Sequence, residues 1–265
     1  MRADAARTAA AAALLLLAAA ACEGDGEELR VGVLSDPVAD VLEEGAAPLL
    51  EEEGYDVTIE RLGARDLGLH LRDGDLEAVV YDPDEDIDHW AQASGVEIER
   101  VAAAPTVPVA VFSLQHDDID EPGERSWIAM GREDLVARIT PLLAQEGLVQ
   151  YDPEVDPREE GVGAEVTDNP HDIGIEVGQH AGINPPLLRE HDYAVERTDR
   201  VLREGITMDD AVAVEDVAEE HRTAVVVRAE DADAGFAEDL AGVLASEEFA
   251  EFMEDDPAAE GFVLP

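Results

Sequence analysis

Strand-like and helix-like segments alternate along the first third of the chain, and this alternation restricts the fold more than any other feature. Three apolar segments, Leu29–Leu34, Tyr55–Leu62 and Leu76–Tyr81, have the pattern of strands. A helix is predicted after the first of them, with Asp36 as its cap and Pro37 in its first position. The order strand, helix, strand, helix, strand predicts a parallel sheet with helices on its faces.

Glycines indicate where the helices of this region end. The first helix is expected to end near Gly45 or Gly54. The second helix is predicted over Leu67–Asp73 and is closed by Gly74.

The middle of the chain begins a second α/β pattern. The apolar run Val107–Phe112 contains Pro108, which cannot donate to a ladder, so this run is expected to be an edge strand or a crossing strand. Another strand is predicted at Trp127–Met130. The helical spacing that follows contains Pro141, which should kink the helix or move its start to Thr140.

The last part of the chain returns to the first pattern. A late buried strand is predicted at Thr223–Val227, followed by a helix over Phe236–Leu244 and another around Phe249 and Met253. The result is two α/β lobes joined by crossing strands, with a ligand cleft between them. The expected division is 1–21 signal peptide, 22–28 tether, 29–110 first part of lobe 1, 111–221 lobe 2 and 222–265 return to lobe 1.

The charge of the chain excludes one class of partner. Sixty-five acidic residues face 17 basic ones, giving a formal net charge of -48, and every basic residue is Arg. Such a chain repels a phosphate backbone, so nucleic acid is excluded as a general partner. Charge repulsion of this size destabilises a compact state unless salt screens it, and the acidity is interpreted as adaptation to a salty medium.

The N-terminus has the pattern of an export signal. Arg2 and Arg7 precede the Ala and Leu run Ala9–Ala21, which is too short to span a bilayer comfortably and suits a signal-peptide core. The sole cysteine, Cys22, follows directly, where a lipoprotein signal is cleaved and the thiol acylated. The alternative is ordinary secretory cleavage with an incidental cysteine. A lone cysteine excludes a disulfide within the chain.

Patterns of enzymes and metal sites are weak. The sequence has no G-x-S-x-G elbow and no phosphate-binding loop, so a secreted α/β hydrolase is a poor alternative. The acidic run Asp82–Asp88 lacks the glycine and the bidentate acid of a calcium loop, which favours a solvated turn. No metal and no cofactor is expected.

Several segments together are similar to the NlpA lipoprotein family, the methionine-binding lipoproteins of ABC importers. The opening Leu29–Val33, the segment Leu71–Ala78, the Asn-Pro segment Val166–Pro170, the stretch Asp192–Val195 and the closing Gly261–Pro265 carry the resemblance. It extends over nearly the whole chain from Leu29.

The resemblance implies a fold and a function. The fold is the two-lobed, venus-flytrap fold of periplasmic binding proteins, α/β in class, with each lobe a mixed sheet flanked by helices. The function is capture of a small amino acid or related organic anion between the lobes and delivery to an ABC permease with its ATPase, without catalysis. The chain is expected to act as a monomer outside the cytoplasm, anchored to the membrane by lipid. The alternative is a sensor or non-transport lipoprotein with altered or lost ligand binding.

The resemblance also implies site residues. Arg138 pairs with the ligand carboxylate in the family, Tyr81 stands at its aromatic cleft position, and Asp82, Arg197 and Thr223 stand where the family has a Gln and two Asn. Their alternatives are a surface ion pair for Arg138, packing between helices for Tyr81 and a solvated turn for Arg197. If both arginines face the cleft, the ligand is expected to be more anionic than methionine.

Overall fold

The strands form two five-stranded sheets and a small two-stranded one in a computed structural model that describes residues 26–34, 36–81, 87–119, 127–131, 133–177 and 185–265. The strands are β1 (Glu27–Val33), β2 (Tyr55–Arg61), β3 (Ala78–Tyr81), β4 (Ile98–Ala103), β5 (Val109–Phe112), β6 (Trp127–Gly131), β7 (Gln150–Tyr151), β8 (Val166–Asp168), β9 (Gly174–Val177), β10 (Tyr193–Arg197), β11 (Ala211–Val214) and β12 (Ala224–Arg228).

Ten α-helical segments surround the sheets in the described part of the chain. They are α1 (Asp36–Val41), α2 (Ala47–Glu52), α3 (Ala64–Asp73), α4 (Ile87–Ser94), α5 (Glu133–Gln145), α6 (Pro157–Glu160), α7 (Pro185–Glu190), α8 (Thr198–Arg203), α9 (Gly235–Leu244) and α10 (Glu247–Asp255).

The first sheet has the order β2-β1-β3-β12-β4. Strand β1 pairs in parallel with both β2 and β3, which confirms the parallel arrangement predicted from the alternation. Strand β12 lies antiparallel between β3 and β4, so the late strand returns to this sheet. These five strands with α1–α4, α9 and α10 form the first lobe.

The first helical region continues past one of its two predicted ends. A π-helical turn over Leu42–Ala46 joins α1 to α2, so the chain stays helical through Gly45 and ends before Gly54, whose φ is 106°. Gly45 is required for packing, because a Cβ there would clash with the ring of Phe252 on α10. By sequence alone, a glycine needed for close packing cannot be distinguished from a glycine that ends a helix.

The second sheet has the order β11-β5-β10-β6-β9. Strand β10 is parallel to β6 and antiparallel to β5, and β6 is parallel to β9, so this sheet is mixed, like the first. The strands β5–β11, including the small β7–β8 pair, and the helices α5–α8 form the second lobe. The α/β class with a mixed sheet in each lobe is confirmed.

The edge position predicted for the Pro108 segment is wrong. Strand β5 pairs with β10 on one side and β11 on the other. Pro108 lies just before the strand and removes no ladder donor, and its carbonyl accepts a hydrogen bond from Thr198 N at 3.1 Å. The lobe boundary expected after residue 110 thus falls inside β5, whereas the one expected after residue 221 falls between β11 and β12.

Pro141 lies inside α5 and does not shift its start, since the helix begins at Glu133 rather than at Thr140. Thr140 is fully buried in the interior of the helix. Because proline has no N–H, the carbonyl of Ala137 lacks its normal helical hydrogen bond from residue 141.

The lobes are joined by the segment between β4 and β5, by the segment between β11 and β12, and by the C-terminal segment. Ala104 N donates to the carbonyl of Thr223 at 2.9 Å, which ties the first crossing to the last. Thr106 exchanges two backbone hydrogen bonds with Val263 near the C-terminus. Within the described residues, no helix combines the length and apolar character needed to cross a bilayer.

Candidate functional site

Arg138 lies on α5 with only 2 % of its surface exposed, and its guanidinium holds an internal carboxylate. Its Nε donates to Glu215 Oε1 at 3.1 Å and its Nη2 to Glu215 Oε2 at 2.7 Å. The same Nη2 donates to the carbonyl of Val107 at 2.8 Å. This is the two-pronged geometry with which a guanidinium binds a carboxylate, supplied from within the chain.

Glu215 is fixed from two sides. Its side chain is 7 % exposed, and its Oε2 also accepts a hydrogen bond from Val109 N at 2.9 Å. Its own N–H donates to the carbonyl of Val109 at 2.9 Å. The ion pair therefore ties α5 to the start of β5 and to the segment that leaves β11 for the first lobe.

These contacts decide between the two interpretations of Arg138 only in part. A surface ion pair is wrong, because both partners are buried. A buried arginine needs a carboxylate nearby, since an uncompensated charge in the interior is expensive. A role for Arg138 in ligand binding stays a prediction.

Arg197 ends strand β10 and is also buried, at 7 % exposed, so a solvated turn is wrong. Its Nε donates to Asp199 Oδ1 at 3.1 Å. Asp199 accepts a second bond, at 3.0 Å, from Arg203 Nη2 on the next turn of α8. The two aspartate oxygens thus bridge two arginines where the strand becomes a helix.

Glu196 adds a further buried charge beside Arg197. Its side chain is 1 % exposed, its Oε1 accepts from Arg197 N at 2.9 Å, and Arg200 approaches it to 3.5 Å. Burial raises the pKa of the Glu196 carboxyl above its ordinary value of 4.5, and the hydrogen bond from Arg197 opposes part of that rise. This carboxylate is consequently easier to protonate than a carboxyl with the ordinary pKa.

Tyr81 ends strand β3 and is 2 % exposed in the core of the first lobe. Its ring lies 5.0 Å from that of Trp90 on α4, in an apolar cluster with Leu67 and Leu71 of α3. Trp90 Nε1 donates to the carbonyl of Ala64 at 2.6 Å, which fixes the indole. These contacts favour the packing interpretation of Tyr81, and stacking on a ligand stays a prediction.

Thr223 lies at the last crossing and is 3 % exposed. Its N–H donates to Thr106 Oγ1 at 2.9 Å, and its carbonyl receives Ala104 N. It lines a small cavity of about 200 Å³ together with β4 residues and Arg222. The described contacts of Thr223 therefore hold the crossing segments together.

A larger cleft of about 860 Å³ lies between the lobes. Pro37, Asp40 and Glu44 line it from the first lobe, and Asp199 and Arg203 line it from α8. The C-terminal segment 256–262 forms its remaining wall. Asp199 and Arg203 thus stand at a surface shared by both lobes, whereas Arg138, Tyr81, Arg197 and Thr223 do not line this cleft.

Two predicted site residues, Cys22 and Asp82, lie outside the described residues, as does most of the acidic run Asp82–Asp88. Among the residues that the structure describes, no group of three or more His, Cys, Asp or Glu side chains is arranged to hold a metal ion.

The sequence did not predict the carboxylates that pair with Arg138 and Arg197. Glu215 is 77 positions from Arg138 along the chain. In a chain with 65 acidic residues, an acid that will be buried carries no distinguishing signal. The only available clue is that Glu215 directly follows the apolar segment Ala211–Val214, which places it at a strand end.

Comparisons with known proteins identify a family and a relative. The model of the NlpA lipoprotein family matches residues 29–265. Outer membrane lipoprotein 3 of Mannheimia haemolytica is 24% identical over 233 residues, covering 86% of this chain and 87% of that protein.

Solved structures share the fold. A nutrient binding protein from Burkholderia cenocepacia bound to methionine has a TM-score of 0.67 and 21% identity, over 89% of this chain and 98% of that one. A periplasmic substrate-binding protein of an ABC transporter from Coxiella burnetii has a TM-score of 0.68 and 19% identity, over 89% of this chain and 100% of that one.

Proposed function

Because the chain belongs to the NlpA lipoprotein family, we propose that it is an extracytoplasmic solute-binding lipoprotein of an ABC importer. The observation that carries this proposal is the cleft of about 860 Å³ between two mixed-sheet lobes, in a chain matched by the family from residue 29 to its last residue. A cleft of this size is suited to a small molecule. Binding and release by movement of the lobes needs no catalytic group.

Lipid on Cys22 is proposed to hold the protein at the membrane. Cleavage after residue 21 would leave Cys22 as the first residue, and acyl chains on it add about 0.8 kcal/mol of membrane binding per buried methylene. The acidic, glycine-containing segment 23–26 would then separate the lipid from the start of β1 at Glu27, because the last two residues of the predicted tether 22–28 belong to the strand.

The proposed ligand is a methionine-like amino acid. The similar protein from Burkholderia cenocepacia is bound to methionine. In this chain Arg138 is already paired with Glu215, and Arg197 shares Asp199 with Arg203 beside the buried Glu196. A site whose cations are neutralised internally attracts a dianion less than one with two uncompensated arginines. The internal ion pairs therefore favour a zwitterion over the diacid that the two arginines alone suggested.

A thermal-shift panel in molar KCl tests the function. The panel contains L-methionine, other L-amino acids and succinate, with a signal expected for at least one amino acid. A ligand at a hundredfold excess over its dissociation constant stabilises the folded state by about 2.7 kcal/mol. A folded protein that responds to no member of the panel would contradict solute capture.

A flat response would instead favour a sensor or non-transport lipoprotein of the same fold. The specific observation behind this second candidate is the carboxylate of Glu215, which occupies the guanidinium fork of Arg138 at 2.7 and 3.1 Å. A ligand carboxylate would have to share or displace it.

A further inference from the structure

A second cavity, of about 490 Å³, lies within the second lobe, apart from the cleft between the lobes. Helix α5 forms one wall, the segment 151–157 forms another, and the segment 215–221 closes a third side. The volume is in the range of small-molecule sites.

Glu165 supplies the most unusual atom of this cavity. The residue is 2 % exposed, and its Oε1 accepts a hydrogen bond from the Thr140 hydroxyl at 2.7 Å. Its Oε2 is buried and receives no hydrogen bond from the described residues. Buried carboxylate oxygens are normally paired, so this oxygen calls for a donor that the described chain does not provide.

The backbone of α5 lacks one helical donor beside this cavity. Pro141 has no N–H, so the Ala137 carbonyl receives no hydrogen bond from residue 141, and both residues line the cavity. A carboxylate oxygen and a backbone carbonyl near one cavity suit a ligand group with several N–H donors.

Acidic side chains outnumber basic ones around the cavity. Glu154, Asp156 and Asp216 line it in addition to Glu165, whereas the lining Arg138 is paired with Glu215 and His221 is the other basic side chain there. A cation is therefore favoured over an anion.

The remaining lining is apolar and fits an organic group. Val136, Leu142, Val155 and Pro157 face the same space. A bare metal ion is a poor match, because the described residues hold no cluster of three metal-ligating side chains.

We propose that this cavity binds a small organic cation through a primary ammonium group, with Glu165 Oε2 as the anionic acceptor, the Ala137 carbonyl as a second acceptor and the apolar wall around the alkyl part. Arg138 and Glu215 also line this cavity, but the proposed acceptors are Glu165 and Ala137, so the proposal does not require Arg138 to bind a solute.

Calorimetric titration of the mature chain in molar KCl tests it, since salt at this level suppresses general attraction of cations to the acidic surface. The probes are n-butylammonium, tetramethylammonium and 1-butanol. One-to-one binding of n-butylammonium is expected, at least about tenfold tighter than that of either other probe, because only the primary ammonium is both charged and a hydrogen-bond donor.

Matched variants locate the site. Glu165→Gln keeps the size of the side chain and removes its charge, and about a tenfold loss of n-butylammonium affinity is expected. Glu154→Gln makes the same charge change at an exposed lining position, where less than about a twofold effect is expected in molar salt. If the Glu165→Gln variant does not fold, the Val155→Trp variant tests the site instead. Its indole fills the cavity from a partly exposed position and should abolish binding of n-butylammonium.

Three outcomes would overturn the proposal. They are no saturable binding of n-butylammonium, equal affinity for 1-butanol or tetramethylammonium, and undiminished affinity in the Glu165→Gln and Val155→Trp variants.

Discussion

The two lobes share an architecture but differ in what they bury. In the first lobe, the described core is built from aliphatic and aromatic side chains and contains no buried charged residue. In the second lobe, the buried charged residues are Arg138, Glu165, Glu196, Arg197, Asp199 and Glu215. Apolar packing depends on volume, whereas buried charges depend on specific partners. The second lobe should therefore respond to pH and to loss of single charges, and the first lobe to changes of shape.

The largest effect on stability should come from the salt concentration and should be common to both lobes. It is the reference for the substitutions below. With a net charge of -48, lowering KCl from molar to millimolar concentration should lower Tm more than any single substitution below. Differential scanning calorimetry measures it. A Tm that does not rise with KCl would remove the interpretation of the acidity as salt adaptation.

Among substitutions, the largest loss is expected where a buried ion pair is broken in the second lobe. Glu215→Ala leaves the buried Arg138 without its carboxylate and should cost about 3–5 kcal/mol of unfolding free energy. Urea denaturation in molar KCl measures this. The control is Glu43→Ala, which removes an exposed partner of Arg61 in the first lobe and should have no measurable effect. Equal losses of unfolding free energy in the two variants would contradict the proposed difference between the lobes.

In the first lobe, the unfolding free energy should instead be sensitive to the addition of a single methyl group. Gly45→Ala forces a Cβ against the Phe252 ring and should cost about 1–3 kcal/mol. Gly242→Ala in α9 is the matched control, because a Cβ there meets nothing within 4 Å and should stabilise the helix by about 0.5–1 kcal/mol. A Gly45→Ala variant as stable as the parent would show that α10 is loosely packed.

The smallest effect should come from the titration of one buried acid in the second lobe. Burial raises the pKa of Glu196 above 4.5, so the folded state holds this proton more tightly than the unfolded chain does. The contribution of Glu196 to stability should thus be greatest below the unfolded pKa and fall as pH rises through the folded pKa. Glu196→Gln should remove that fall, as measured by urea midpoints from about pH 4 to pH 8. An unchanged pH profile would exclude Glu196 as its source.

The same contrast explains what the sequence could predict. The parallel strands β1–β3 and the late strand of the first lobe, the left-handed Gly74 that closes α3 and the two C-terminal helices follow from periodicity and local end signals, whereas β4 was not predicted. The roles of Gly45 and Pro141 depend on what packs against them, which is not a local property.

The site was less predictable than the fold. Arg138 was identified through the family resemblance, but its partner Glu215 could not be, because pairing between positions far apart in a highly acidic chain leaves no pattern. Glu165 is unusual only because one of its oxygens is buried without a donor among the described residues, and this emerges from the folded structure alone.

Calorimetric titration of the protein with L-methionine and with succinate, in molar KCl, tests solute capture and the charge balance of the site in one experiment. Saturable one-site binding of L-methionine is expected, with at least about tenfold weaker binding of succinate, because Arg138 and Arg197 are already paired with Glu215 and Asp199. Tighter binding of succinate would contradict the charge balance, and a folded protein that binds neither methionine nor any other amino acid would contradict solute capture itself.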